Sequence, residues 1–440
     1  MWRTGHLTQL EQKTRQFAYI PNMRIRFALT VFLLWVLFAC NPSRASDLAL
    51  VHAKIYPSPT EPAIEDGTIV VHDGRITAVG PSATTRPPRF ARAVTVIDCR
   101  GLVVTAGFWN SHVHIFTPGL FHAENLSSSD LSSQLEKMFT RWGFTTVFDI
   151  ASVLDNTNSI RGRIDSGEVR GPRILTVGDP FYPKGGTPIY VKKFLEENHV
   201  PSAEVASVPQ AVDRVRAQFQ KGADGAKIFT GAFVGGGKVL IMPLDVAAAI
   251  VAEAHRSGKP VFAHPSNTEG LEVAIQSGVD ILAHAAPMSG FWTPAFAERL
   301  KAAHLALVPT LTLFDFEGKR AGETPEETAE TIGLAVQQLK TYSDTSGQIL
   351  FGTDVGYTDH FDTAEEFTLM SRAGLTFQQI LASLTTSPSA RFGYVAHSGR
   401  IAKGMDADLV VLSTDPVQDV NAFSRVAFTI RLGKILFGKR

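Results

Sequence analysis

Residues 108–115 read FWNSHVHI, and two histidines separated by one residue end this otherwise apolar run. A short, continuous apolar run is typical of a strand buried on both faces. Because side chains two apart on a strand point the same way, His112 and His114 share one face while Val113 points to the other. Buried imidazoles need partners. We therefore expect this histidine pair to belong to a functional site at the strand's end.

Seven further apolar runs follow, and amphipathic stretches such as PLDVAAAIVAEAHRSG (243–258) lie between several of them. This alternation is typical of the α/β class with parallel strands. Eight strand–helix units between residues 105 and 395 match the size and rhythm of a (β/α)8 TIM barrel. The seven runs are 144–150, 173–179, 225–231, 260–265, 280–287, 305–312 and 349–356.

Short strand-like segments flank this region on both sides. They are separated by turns such as HDGR (72–75), and similar segments return near the C-terminus, for example ADLVVLSTD (407–415). We predict that residues 46–104 and 396–440 together form one small β-sandwich domain, with the barrel domain at 105–395 between them.

The N-terminus predicts export. Residues 27–39 are uncharged and apolar, follow Arg24 and Arg26, and have the length of a signal-peptide core rather than of a bilayer span. Met23 directly precedes these arginines, so we expect it to be the true start and residues 1–45 to be an export segment. A retained membrane anchor is the alternative.

Two processing sites compete at the end of this segment. LFAC, ending at Cys40, resembles a lipoprotein box, and SRA, ending at Ala45, fits ordinary signal-peptidase cleavage. Either site predicts export to a bacterial periplasm, with a membrane-anchored lipoprotein facing the periplasm if Cys40 is lipidated. Cys99 is then the one cysteine left for pairing, which excludes an internal disulfide.

Composition gives no evidence for a macromolecular partner. The 440 residues are 44% hydrophobic and carry 42 basic and 42 acidic side chains. There is no basic excess that would indicate nucleic acid, and no acidic tail. The length suffices for one large domain and a smaller one.

Ionisable residues interrupt the apolar runs near the carboxyl ends of the predicted strands. Each alone is more often structural, as a hydrogen-bonded histidine, a helix N-cap or a snorkelling lysine. The carboxyl ends of barrel strands meet at one mouth, where barrel enzymes place their catalytic groups, so we expect these residues to converge. The six candidates are His112, His114, Lys227, His264, His284 and Asp354.

These side chains have the composition of a metal site. The histidine pair and Asp354 provide three ligands and leave an open position for water, and His264 and His284 provide ligands for a second ion. An ammonium at Lys227 would be repelled by two divalent cations. A carbamate, formed when the neutral amine adds carbon dioxide, would instead bridge them.

At these motifs the chain resembles the amidohydrolase superfamily over nearly all of its mature length. Within it, the chain is similar to the branch of imidazolonepropionase-like proteins and metal-dependent Xaa-Pro and other dipeptidases. The matching segments are AGFWNSHVH (106–114), GADGAKIFTG (222–231), VFAHPSNTEGLEVAIQSGVDILAH (261–284), LFGTDVG (350–356), AGLTFQQILASLTTSPSARFG (373–393) and GRIAKGMDADLVVLSTDP (399–416).

Three positions depart from the usual pattern of this superfamily. Asn110 stands where many relatives have Asp, and Pro265 follows the fifth-strand histidine where a small residue is commoner. Lys227 is not expected in mononuclear deaminases or in imidazolonepropionase itself, which favours the binuclear peptidase-like or amidase-like members.

The resemblance implies hydrolysis of an amide C–N bond in a dipeptide, an N-acyl amino acid or a similar small molecule. A water bridging two zinc-type ions would attack the carbonyl, with Mn, Co or Fe as alternative metals. The ion at His264 and His284 would polarise the carbonyl oxygen. Asp354 would take the proton of the water and pass it to the leaving nitrogen.

Three other functions remain open. A mononuclear deaminase or cyclic-amide hydrolase would use Lys227 only structurally. A lactonase or phosphoesterase would use the same activated water on another bond. A non-catalytic extracytoplasmic metal- or ligand-binding protein would keep the barrel fold without catalysing a reaction.

Two long loops are candidates for the substrate pocket, DPFYPKGGTPIYVKKF (179–194) and LTLFDFEGKR (311–320). Their aromatic residues Tyr182, Tyr190 and Phe314 are candidate substrate contacts, with core packing as the alternative. Together with the lysines of these loops they are consistent with an apolar substrate that bears a carboxylate. Because many relatives assemble, a homo-oligomer is also open.

Overall fold

The computed structural model describes residues 47–86 and 94–438. The predicted export segment, residues 1–45 with Met23 and both processing sites, lies outside this part of the chain. Among the described residues, no helix combines the length and the apolar character that a membrane crossing requires.

Five strands lead the described chain. The second and third form a hairpin whose turn residues, Asp73 and Gly74, have φ angles of 47° and 73°. Two consecutive positive φ angles are what a two-residue hairpin turn requires, and Asp-Gly adopts them readily. The strands are β1 (Leu48–Ile55), β2 (Ile64–His72), β3 (Arg75–Pro81), β4 (Thr95–Asp98) and β5 (Val103–Ala106).

Strands and helices then alternate. The strands are β6 (Phe108–Val113), β7 (Phe144–Asp149), β8 (Arg173–Thr176), β9 (Tyr182–Pro183), β10 (Glu204–Val205), β11 (Ala226–Phe229), β12 (Gly231–Gly235), β13 (Lys238–Ile241), β14 (Val261–His264), β15 (Ile281–Ala283), β16 (Ala306–Val308) and β17 (Gln348–Ile349). The helices are α1 (Ser128–Met138), α2 (Leu154–Asp165), α3 (Ile189–Glu197), α4 (Val208–Gln220), α5 (Leu244–Arg256), α6 (Thr268–Ser277), α7 (Pro294–Ala302), α8 (Leu313–Ala321), α9 (Pro325–Asp344), α10 (Ala364–Arg372), α11 (Phe377–Leu384) and α12 (Thr386–Arg391).

Seven of the eight predicted apolar runs contain one parallel strand each, and the eighth begins at Ile349, the last residue of β17. The order β6-β7-β8 makes one parallel sheet and β11-β14-β15-β16-β17 another. Single parallel bridges join the two sheets on both sides, from Phe181 to Ile228 and from Val113 to Val355. The result is a TIM-barrel-like α/β fold.

Side-chain alternation sorts the strand residues into two cores. Trp109, Phe148 and Phe262 belong to a cluster on one face of the parallel strands, and Phe392 packs against it with its aromatic ring stacked on Trp109 at 5.7 Å. Val113 belongs to the larger cluster beneath the helices, as the alternation of the first strand predicts. The face of the parallel strands that points away from the helices is thus covered by aromatic and aliphatic side chains.

Strands from both ends of the described chain form one sheet. The C-terminal strands are β18 (Leu409–Leu412), β19 (Val426–Arg431) and β20 (Lys434–Phe437). The order is β20-β19-β18-β5-β1-β2-β3, and β4 also pairs with β1. On one side, β1 therefore pairs with β4 along its first half and with β5 along its second.

The segment after β17 follows β6 closely. Phe351 accepts a hydrogen bond from the backbone of Ser111 at 2.8 Å, and Val355 accepts one from His114 at 2.8 Å. Gly356 follows with a φ of 101°, and a Cβ atom placed there would lie 1.9 Å from the carbonyl oxygen of His114. Glycine is thus required by conformation and by space.

We expect Gly356→Ala to lower the free energy of unfolding by about 3 kcal/mol, because both the backbone conformation and the contact become unfavourable. Gly374 is the matched control, since its φ is also positive, at 85°, but nothing lies within 4 Å of its added Cβ. Gly374→Ala should cost about 1 kcal/mol. Urea unfolding measures both losses, and equal losses would contradict the steric argument.

Candidate functional site

The predicted ligands of β6 and the segment after β17 meet at the Asp354 carboxylate. Its Oδ1 lies 3.2 Å from His112 Nε2 and 2.9 Å from His114 Nε2, and its Oδ2 lies 3.8 Å from His284 Nδ1. One ligand atom each from His112, His284 and Asp354 can be chosen within 4.8 Å of one another. This spacing is small enough for a single metal ion to contact all three.

Irregularities of β6 orient the histidine pair. The register against β7 shifts on both sides of Trp109 and Asn110, so the alternation of inward side chains is reset before His112. The Asn110 amide donates to Thr353 Oγ1 at 2.7 Å, and its oxygen accepts from the backbone of His112 at 3.2 Å. Asn110 therefore ties β6 to the residue before Asp354.

Backbone oxygens and hydroxyls orient the imidazoles. The Nδ1 of His114 donates a hydrogen bond to the carbonyl oxygen of Ala151 at 2.7 Å, which leaves Nε2 facing Asp354. The Nδ1 of His284 lies 2.8 Å from Thr310 Oγ1. These contacts restrict each ring to one orientation.

Two of the candidate ligands have strained backbones. His284 has a φ of 88° and Asp354 one of 59°. Non-glycine residues rarely adopt such angles, and where they do the strain is held by the surrounding structure, often at functional sites.

Lys227 and His264 complete the predicted set. The His264 ring lies 4.8 Å from that of His284 and stacks on Phe229 at 4.6 Å. Lys227 is only 1% exposed, its Nζ lies 5.5 Å from the Phe229 ring, and it makes no salt bridge to any described residue. Three of the predicted residues lie on parallel strands, namely His112 on β6, Lys227 on β11 and His264 on β14. His114 and His284 directly follow β6 and β15, and Asp354 lies five residues after the end of β17.

Burial controls the protonation of this set. It lowers the pKa of His112 to about 3, although Asp354 opposes the shift, and it lowers the pKa of Lys227 to about 7. Burial raises the pKa of Asp354, but His112 and His114 outweigh it and hold that pKa well below its usual value. Neutral imidazoles and an ionised carboxylate are the forms that bind metals.

The set fits a divalent ion. His112 Nδ1, His112 Nε2 and Asp354 Oδ1 are buried without hydrogen bonds of normal geometry. Buried polar atoms are normally satisfied, and nitrogen and carboxylate oxygen are ligands that zinc-type ions prefer. A metal ion at this centre would give a partner to one His112 nitrogen and to Asp354 Oδ1.

A cavity of about 360 Å³ opens onto this centre. The predicted substrate contacts Tyr182, Tyr190 and Phe314 all line it. Burial raises the pKa of the Tyr182 and Tyr190 hydroxyls, which keeps them protonated as hydrogen-bond donors.

The lysines of the two predicted pocket loops, Lys184, Lys192, Lys193 and Lys319, are not among the cavity's lining residues. The expected basic partner for a substrate carboxylate is therefore not provided by these loops.

Sequence reasoning missed further lining residues. Phe116 and Tyr357 lie two and three residues beyond His114 and Asp354, so their positions just past strand ends could have indicated them. Phe194 and Glu317 belong to the two predicted pocket loops but were not named as candidate contacts. Phe233 and Met288 lie outside those loops, and no pattern in the sequence singles them out.

Comparisons with known proteins find similar sequences and structures. The model of the Amidohydrolase family matches residues 103–436. An uncharacterized protein of Mycobacterium tuberculosis is 25% identical over 399 residues, covering 87% of this chain and 95% of its own length. Ochratoxinase of Aspergillus niger is 22% identical over 403 residues, covering 84% of this chain and 82% of the enzyme.

A solved structure has the same fold. The crystal structure of an Xaa-Pro dipeptidase with methionine bound in its active site superposes with a TM-score of 0.76 at 22% identity. The match covers 90% of this chain and 100% of that one.

A buried carboxylate holds the loop behind His284. Glu366 of α10 accepts hydrogen bonds from the backbones of Leu311 and Thr312 and from the Thr312 hydroxyl, each at 2.9 Å. These residues directly follow Thr310, the partner of His284. Burial raises the pKa of Glu366 from 4.5 to about 7, although the three hydrogen bonds oppose the shift.

We expect Glu366→Gln to remove a pH dependence of stability. Because its pKa is higher in the folded chain, Glu366 contributes stability fully below pH 4.5 and loses it as pH rises through 7. Between these limits the unfolding free energy of the native chain should fall by about 3 kcal/mol relative to the variant. Urea unfolding at several pH values measures this. Glu365→Gln, exposed on the same helix, is the control, and a pH-independent difference for Glu366→Gln would contradict the assignment.

Proposed function

The chain belongs to the amidohydrolase family and is a hydrolase of carbon–nitrogen bonds, and from this premise we propose that it cleaves an amide bond of a small molecule at a two-metal centre. The observation that carries the proposal is the meeting of all six predicted ligands at one end of the parallel strands. Divalent metals are the general cofactors of the family, and zinc is the first candidate here, with Mn, Co and Fe as alternatives.

The residues divide into two ligand groups. His112, His114 and Asp354 would hold one ion, and His264 and His284 the other. Lys227 would bridge them as a carbamate, in which its amine nitrogen bonds to the carbon of carbon dioxide and releases a proton. The buried amine, which makes no salt bridge to the described residues, supports this assignment, because a permanent ammonium there would lack a paired carboxylate. Bound ions would lower the pKa of a water ligand towards neutrality and polarise the substrate carbonyl.

Asp354 has the position and charge of a proton carrier. Its carboxylate is ionised, faces the cavity and is held by imidazoles rather than by arginine or lysine. We propose that it accepts a proton from the attacking water and donates it to the leaving nitrogen. Tyr182, Tyr190 and Phe314 would position the substrate against this centre and exclude bulk water.

A single-metal enzyme is the second candidate. The grouping of His112, His284 and Asp354 within 4.8 Å favours one tightly held ion. A deaminase or cyclic-amide hydrolase would use such a centre with Lys227 in a structural role. A lactonase or phosphoesterase would need only a different substrate.

The finer architecture belongs to the same proposal. The two bridges that join the parallel sheets would complete a closed (β/α)8 barrel over residues 105–395. The sheet of β1–β5 and β18–β20 would belong to a β-sandwich domain built from residues 46–104 and 396–440. We further propose that residues 1–45 direct export to a bacterial periplasm, with lipid at Cys40 or cleavage after Ala45, and that the enzyme acts there alone or as a homo-oligomer.

Metal content distinguishes the two candidates. We expect two ions per native chain and loss of one in Lys227→Ala, because the carbamate bridge would be missing. Elemental analysis of dialysed protein measures this. Lys221→Ala is the control, since Lys221 is exposed and pairs with Asp155. One ion in the native chain and in Lys227→Ala would favour the single-metal enzyme.

Asp354→Asn should lower kcat/KM for any hydrolysed amide by about 100-fold or more, because the amide side chain cannot carry the proton. The assay is a screen of zinc- or manganese-loaded protein against dipeptides, N-acyl amino acids and N-acyl amines. Asp359→Asn, exposed in the following loop, should keep the native rate. Native activity in Asp354→Asn would refute the proton-carrier role.

A further inference from the structure

We propose that the substrate is an uncharged amide with apolar groups on both sides of the scissile bond and without a carboxylate next to it. This inference rests on the proposed amide hydrolysis and narrows its substrate. It excludes free dipeptides and N-acyl amino acids as good substrates, although they contain the same bond.

The cavity wall is largely apolar. Beyond the candidate ligands it is formed mainly by aromatic and aliphatic side chains from the loops after several strands. They include Phe116, Tyr182, Tyr190, Phe194, Phe233 and Phe314. Such a wall favours apolar groups, because they leave water on binding without losing hydrogen bonds.

The wall offers no cation for a carboxylate. Among the described residues that line the cavity, Lys227 is the one lysine, and no arginine is present. Lys227 is 1% exposed and belongs to the candidate metal centre. A substrate carboxylate in the rest of the cavity would lose its water without gaining a charged partner.

Two arginines near the wall are already engaged. Arg320 donates to Glu317 Oε2 at 2.6 Å, and its guanidinium lies 5.3 Å from the ring centroids of both Tyr190 and Tyr357. Arg214 donates to the carbonyl oxygens of Ala203 and Pro180. Neither arginine is among the residues that line the cavity.

The ionisable groups of the wall beyond the metal centre are acidic. Glu317 accepts hydrogen bonds from Arg320 and from the Tyr357 hydroxyl, and Asp179 and Glu323 also line the cavity. Like charges repel at short range in a poorly hydrated site. These acidic groups therefore offer a substrate anion no charged partner, so the cost of removing water from the anion stays uncompensated.

The entrance continues the apolar surface. Met288 lines the cavity and is 59% exposed, and Phe291 on the same loop is 73% exposed. Exposed apolar side chains at a cavity mouth suit an apolar ligand that enters from water.

A matched pair of compounds tests the inference. N-benzoyl-phenethylamine and N-benzoyl-phenylalanine share the scissile amide and differ by one carboxylate. We expect the zinc-loaded enzyme to cleave the neutral compound with a kcat/KM at least 100-fold higher. An equal or higher value for the carboxylate compound would overturn the inference.

A binding measurement distinguishes failure of this inference from failure of the proposed function. Calorimetry with zinc-loaded Asp354→Asn should give a dissociation constant at least 10-fold lower for the neutral compound. If the neutral compound binds selectively but the native enzyme cleaves neither, amide hydrolysis of this class is wrong while the selectivity stands. If the two compounds bind equally, the selectivity is wrong.

Glu317→Gln tests the electrostatic source of selectivity. It removes a negative charge from the wall and frees Arg320, so the kcat/KM ratio of neutral to carboxylate compound should fall about 10-fold. Asp315→Asn on the same helix, outside the cavity lining, should leave the ratio unchanged. An unchanged ratio in Glu317→Gln would overturn the role assigned to Glu317 and Arg320.

Discussion

A buried carboxylate held between two imidazoles is the contact on which the site depends. Asp354 meets His112 and His114 only because the chain after β17 follows β6 in hydrogen-bonding distance. The first and last of the parallel strands must therefore be adjacent before the ligands can be. The site therefore forms when the segment after β17 packs against β6. Asn110 and Gly356 lie at this contact and support it.

The rest of the cavity keeps strong charge away from this centre. Its wall is largely apolar, and the charges of Glu317 and the nearby Arg320 are directed at each other and at tyrosines. In such surroundings, electrostatic interactions at the floor are stronger than in water. The apolar wall thus strengthens the electrostatic interactions of the polar groups at the candidate metal centre.

Much of this arrangement follows from the sequence. Continuous apolar runs locate the parallel strands, and parallel strands share a carboxyl end, so His264, His284 and Asp354 could be expected to meet despite their separation. Strand alternation also places Val113 away from the histidine pair, among the residues beneath the helices.

Other features depend on where loops turn and on register shifts, which hydrophobic patterns do not encode. The shifts around Trp109 and Asn110 reset the inward face of β6. Glu366 reaches the loop after β16 from a helix far along the chain. The pocket-loop lysines lie outside the cavity lining while the aromatic residues beside them line it, because the loop backbone rather than composition decides which side chains turn inward.

The sheet built from both ends has a consequence for the order of synthesis. β5 pairs with β18, and the whole alternating region lies between them in the chain. A growing polypeptide therefore carries β5 with one side unsatisfied until nearly all of it has been made. Exposed strand edges attract other strands, and contacts distant in sequence form late. The nascent chain consequently has a long interval in which a chaperone, or fast folding of the intervening region, must shield this edge.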